Sequence, residues 1–155
     1  MNHALTRLAE QIGLSQPQRL SLRLAFGHAC VERVRHLLEE PRAIACLDVL
    51  AAYVAGRADD AALTRAAEEG AAVATGHRGS GSIDGTAHAA VSATYSVANA
   101  LAGRALEAAS YAAYATVYAY GGYAISDPDS FTQEFAWQVE CLQHMVAELA
   151  PAVAA

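Results

Sequence analysis

The sequence contains no lysine: all ten of its cations are arginine, set against sixteen carboxylates for a formal net charge of −6. Binding to phosphates relies on a basic surface, so nucleic acid is not expected as a direct partner. Cysteine is scarce. Cys30, Cys46 and Cys141 lie far apart, form no CxxC pattern and leave one residue over in any disulfide scheme, which suits a reducing, cytoplasmic setting. The opening MNHALTRLAEQIG has no basic segment followed by an apolar run, so no secretion signal is expected. Clean period-two alternation is missing, and no Asn-Gly or Asp-Gly turn joins two β-branched runs, although Asp84-Gly85 occurs. Strands are not needed. Charge is thin at 17% and absent between Glu107 and Asp127. That interval approaches the length that spans a bilayer. It is mostly Ala and Tyr, however; Ala is only weakly lipophilic and the phenols need partners, so a buried helix is expected rather than a membrane span.

What the chain does have is alanine, which supplies much of the 54% apolar fraction in 155 residues. Ala loses no side-chain entropy in a helix, and a chain of this length can bury a proper core. Leu5, Leu8 and Ile12 mark a first helix closed by Gly13. Ser15 with Gln18 has capping-box spacing, and Pro17 is tolerated in a first turn. Leu20, Leu24, Gly27, Val31, Val34 and Leu38 then recur at spacings of four and three, down to Pro41, with Gly27 marking a close approach. Ile44, Leu47, Ala51 and Val54 define a buried helix stopped by Gly56. Asp59 or Asp60 caps a fourth through about Ala74, with Leu63, Ala67 and Ala71 inward. Gly76 to Gly85, GHRGSGSIDG, reads as a mobile loop. Thr86 to Ile125 fits one bent helix or two, divided at Gly103 and Arg104, with Ala93, Ala100 and Ala108 permitting close packing. After Asp127-Pro128, Ser130 with Gln133 repeats the capping spacing, and the last helix buries Phe131, Phe135, Leu142, Val146 and Leu149. The predicted fold is all-α, a single domain over 1–155 built as a bundle of about six or seven helices.

Candidate chemistry is fragmentary. Glu32 with His36, and Glu140 with His144, have the four-residue spacing that puts two metal-ligand types on one helix face. The di-iron carboxylate spacing is three, and both pairs point away from the apolar lines, so solvated pairs are preferred over a metal site. Cys30 near His28, and Cys141 near His144, supply pieces of a nucleophilic set, but residues two apart on a helix point in very different directions and the second pair lacks an orienting acid. The glycine-rich loop lacks the lysine and spacing of a P-loop, and Arg78 beside a helix start is its only anion-binding feature. No catalytic residue, metal or cofactor is therefore predicted. Tyr111, Tyr114 and Tyr118 share a helix face, with Tyr95 near. They can line a pocket, but a core position with each hydroxyl bonded to a neighbouring helix is preferred.

Two features point toward protein contacts. Trp137 lies off the line of Phe135, Leu142 and Val146, in a stripe with Glu134, Cys141 and Met145, where it meets another helix or anchors a second chain, including a copy of itself. Acidic residues at Glu39-Glu40, Asp59-Asp60, Glu68-Glu69 and Asp127 to Glu134 cap helices and can steer a basic protein. Candidate partner-binding residues are Trp137, Met145, Glu134, Asp59, Asp60, Glu68 and Glu69.

The order of segments also carries a resemblance. ACVERV at Ala29 to Val34, the Ile44 to Gly56 helix, TAHAAVSATYSVANALAG at Thr86 to Gly103, EAASYAAYATVYAY and a closing EFAWQVECL together span about Leu20 to Met145. In this the chain resembles a family of small bacterial immunity proteins, built from Ala-rich helices and linked to polymorphic toxin systems. The resemblance implies an all-helical, non-enzymatic cytoplasmic protein whose partner is a cognate toxin. It carries no residue roles with it.

Overall fold

A computed structural model describes residues 1–77 and 86–154, with side chains at 1–77 and 88–149. Seven α-helices follow in order: α1 His3–Gln11, α2 Leu20–Glu32, α3 Pro41–Val54, α4 Asp60–Gly76, α5 Thr86–Leu101, α6 Ala105–Tyr120 and α7 Thr132–Ala154. Short 3₁₀ turns lie between several of them, and no strand occurs among the described residues. The all-α bundle anticipated above is the fold. Among the described residues no helix is long and apolar enough to cross a membrane.

Helix ends follow the local chemistry. Asn2 accepts from the Leu5 N–H at 3.1 Å, and its amide donates to the Phe135 carbonyl and to Gln138 Oε1, tying the start of α1 to α7. Asp59 caps α4 by accepting from the Ala62 N–H at 2.8 Å. Between α5 and α6, Gly103 stands at φ 76°. Its N–H reaches the Ala100 carbonyl, and the Arg104 N–H reaches back to Asn99. This Schellman pattern needs a left-handed residue, so the ambiguous Thr86 to Ile125 stretch is two helices. Arg23 donates to the carbonyls of Gly103, Leu14 and Gln16, which fastens this turn to the one before α2.

The α5–α6 pair is the centre of the packing and is lined by alanine. Ala93, Ala100, Ala108 and Ala112 are fully buried. Small side chains let the two backbones approach, close enough that Ser96 Oγ donates to the Ala108 carbonyl at 2.7 Å. Gly27 on α2 fits against the same surface: a Cβ there would stand 3.2 Å from the Ala100 Cβ and 3.3 Å from its Cα. Leu24, Val31, Val34 and Leu38 are buried as the spacing predicts, but so are Leu22, Phe26 and Cys30. Covered on nearly all sides, α2 runs through the bundle.

Several local expectations are corrected. Pro41 opens α3 rather than closing the segment before it, since its ring suits a first helical position. No Ser15–Gln18 capping box forms; a 3₁₀ turn at Pro17–Arg19 precedes α2, and the Gln18 amide donates to Gln16. Ser130 and Gln133 straddle the junction of a 3₁₀ turn, Pro128–Phe131, with α7, and the Asp127 carboxylate accepts the local N–H instead, from Asp129. The inward line of α4 is Ala66, Gly70, Val73 and Ala74, leaving Ala71 outside. Leu20 and Leu149, expected in the core, are 44% and 41% exposed: Leu20 opens α2 beside the Gly103 turn, and Leu149 lines a cleft with Leu22 and Met145. Of the anticipated 76–85 loop, Gly76 ends α4 and residues 78–85 lie outside the described residues.

Candidate protein-interaction face

Of the sequence-predicted contact residues, Glu134 is buried, Trp137, Met145 and Glu69 are partly buried, and Asp59, Asp60 and Glu68 are exposed. Arg33, just past the end of α2, donates to both carboxylate oxygens of Glu134, at 2.6 and 2.9 Å. The bond to Glu134 holds the guanidinium pKa above its ordinary value. Glu134 is 6% exposed, so its charge is spent inside the structure. The same guanidinium carbon lies 4.0 Å from the centroid of Trp137, a cation–π contact. Trp137 is half-buried against the main core, which is the intramolecular alternative weighed above. Gln138, one turn on from Glu134, is buried and donates to the Ala109 carbonyl at 2.8 Å, joining α7 to α6.

The remaining candidates divide. Asp60 accepts from the Tyr53 hydroxyl at 2.6 Å. Glu69 pairs with Arg42, which holds its carboxyl below the usual range. Glu68 is exposed on α4. Met145 lines an apolar cleft of about 370 Å³ with Leu22, Ala25, Tyr53, Val54 and Leu149, between α2, α3 and α7.

Neither expected Glu/His pair forms as spaced. Glu32 meets His28 at 3.2 Å and Arg35 at 3.5 Å, because the chain leaves α-helical geometry at Val34 and carries His36 out of register. His144 pairs with Glu148, at 3.2 Å. Among the described residues no three His, Cys, Asp or Glu side chains gather around a common point. Burial pushes the Cys30 thiol well above its ordinary pKa, and Cys46 and Cys141 upward, which disfavours the nucleophilic thiolate.

The tyrosines overturn the core expectation. On α6 the buried residues are Ala105, Ala108, Ala109, Ala112, Ala113, Ala115 and Val117, while Tyr111 and Tyr114 are 37% and 38% exposed. Two backbones this close leave no room for phenols between them, so the rings turn outward and stack on one another. Tyr95 of α5 stacks on Tyr111, with centroids 5.3 Å apart. His88 stacks on Tyr118 at 5.2 Å, and Tyr118 leans on Tyr114 at 6.3 Å. Phe131 meets Tyr114 edge-on at 5.3 Å, extending the array to the start of α7. Tyr120 and Tyr123 add further exposed rings beyond it. An aromatic face of this extent, braced by its own ring contacts, is the most distinctive surface of the molecule. Sequence spacing placed Tyr111, Tyr114 and Tyr118 on one face and misjudged which way that face points.

Comparison with known protein families, with characterised proteins and with solved structures gives a short result. None matches this chain.

Proposed function

We infer that this chain is a non-enzymatic cytoplasmic immunity protein that binds a bacterial toxin and covers its active or docking surface. The observation that carries the reading is the outward tyrosine face of α5 and α6. Tyr gives a large, stiff contact area at low entropic cost and is prominent among interface anchors. Its surface placement here is not explained by the core, which alanine fills. The order of segments that resembles the immunity family supports the toxin as partner, and the negative net charge supports a protein partner over nucleic acid. The test is co-expression with the products of neighbouring genes that arrest growth: growth should be restored and the two proteins should co-purify. Failure to rescue cells from any such product overturns the reading.

Self-association is a second reading, favoured by the Met145 cleft and its exposed neighbours Val54 and Leu149. Sedimentation of Met145→Glu beside the parent decides it: a parent dimer that the variant loses supports the seam, and monomers in both remove it.

A further inference from the structure

Charge is divided unevenly along this chain. Residues 86–154 hold six carboxylates, Glu107, Asp127, Asp129, Glu134, Glu140 and Glu148, and one arginine, Arg104; residues 1–77 hold nine carboxylates and eight arginines. The formal net charge is thus −5 in the segment that carries the tyrosine face and −1 in the other, or −4 and −2 once the Arg33–Glu134 pair that joins the two is set aside. Within that segment α5 has no Asp, Glu, Lys or Arg at all. On α6, Glu107 precedes Tyr111, Tyr114 and Tyr118 at spacings of four, three and four, which sets a carboxylate at the head of the row of rings. Asp127 and Asp129, both exposed, stand beyond its other end. Phenol faces carry negative potential, so rings and carboxylates act in the same sense.

A cation held between an aromatic ring and a carboxylate already exists in this molecule, where Arg33 lies over Trp137 and binds Glu134. The α6 face carries the same two kinds of component: Tyr111 and Tyr114 are 37% and 38% exposed, Glu107 is exposed one turn before Tyr111, and Arg104, three residues before Glu107, is the one arginine of this segment. We propose that this face receives arginine and lysine side chains from a basic protein segment, the cations lying over Tyr111 and Tyr114 between Glu107 and Asp127. The inference rests on the protein-binding reading above and adds to it the surface and the chemistry of the partner.

The probe is a synthetic peptide of alternating Arg and Ser, with a Glu and Ser peptide as control, titrated into the isotope-labelled full chain at low and at roughly 0.3 M salt. The arginine peptide should shift the ring resonances of Tyr111 and Tyr114, weaken with salt, and have no counterpart in the glutamate peptide. Tyr111→Phe/Tyr114→Phe keeps both ring faces and should bind within about twofold of the parent. Tyr111→Leu/Tyr114→Leu keeps apolar bulk and helix propensity without ring faces, and should bind about tenfold more weakly. The proposal is overturned if the leucine variant binds as tightly as the parent, if the shifts map to Asp59 and Glu68 instead, or if dilution alone moves the rings, which would mean a second copy occupies the face. A toxin captured unchanged by the leucine variant would remove this proposal and leave the immunity reading standing. Peptide binding at the rings without rescue of cells would do the reverse.

Discussion

Replacing Arg33 with methionine should destabilise the protein more than the loss of an ordinary surface ion pair. Glu134 is 6% exposed, and both its oxygens accept from the one guanidinium. Removing one partner of a fully buried pair costs about 3–5 kcal/mol, because the survivor is left charged and unpaired. Arg33 itself is 36% exposed, so water can approach the vacated side and the cost falls to about 2 kcal/mol. Loss of the Trp137 ring contact adds about 0.5 kcal/mol. Urea denaturation followed by circular dichroism reads the difference directly, provided the slope is unchanged. Arg33→Met/Glu134→Met removes both charges and should fall within about 1 kcal/mol of the parent, since an apolar pair of similar volume commonly replaces a buried ion pair without loss. A single variant within about 0.5 kcal/mol of the parent, or a double variant as unstable as the two losses added, would refute the reasoning.

Gly27→Ala should lose about 1 kcal/mol: the gain in helix propensity is outweighed because the nearest atoms include the Ala100 backbone, which cannot rotate away; thermal denaturation checks it. Gln138→Leu should cost about 1–2 kcal/mol, because the bond to the Ala109 carbonyl and the one from Asn2 are lost together; urea midpoints check this. Alkaline pH should weaken the fold. With the Cys30 thiol held well above its ordinary value of 9.0, the unfolded chain releases a proton that the folded chain keeps, so stability is full below that value and declines as pH rises past it. Urea midpoints from pH 7 to pH 10 should fall more steeply for the parent than for Cys30→Ala.

Much of the architecture was legible because helix boundaries are local. Gly13, Gly56 and Gly103 all take positive φ at helix ends, and Asp59 caps where its side chain predicts. Periodicity served less well wherever both faces of a helix are apolar. On α2 the second buried line, Leu22, Phe26 and Cys30, hides the polar face that defines a stripe. On α6 the choice between an alanine face and a tyrosine face inward is not made by spacing. It is made by how near α5 lies, which depends on Ala93, Ser96 and Ala100 in that other helix. Burial of Glu134 was equally hidden, since its partner Arg33 is 101 residues away in sequence. Among the contact candidates, type alone did not show that Glu134 and Trp137 are engaged by Arg33, whereas Asp59, Asp60 and Glu68 are exposed and Met145 lines a cleft.

Side-chain labelling of the tyrosines, read by peptide mapping on the free protein and on its complex with the arginine–serine peptide, tests the proposed interaction face most directly. In the free protein Tyr111, Tyr114, Tyr120 and Tyr123 should label readily, and in the complex Tyr111 and Tyr114 should become protected while Tyr53, on α3, is unchanged. Protection confined to Tyr53, or a complex in which the α6 rings label as fast as before, would contradict the claim that this face makes the contact.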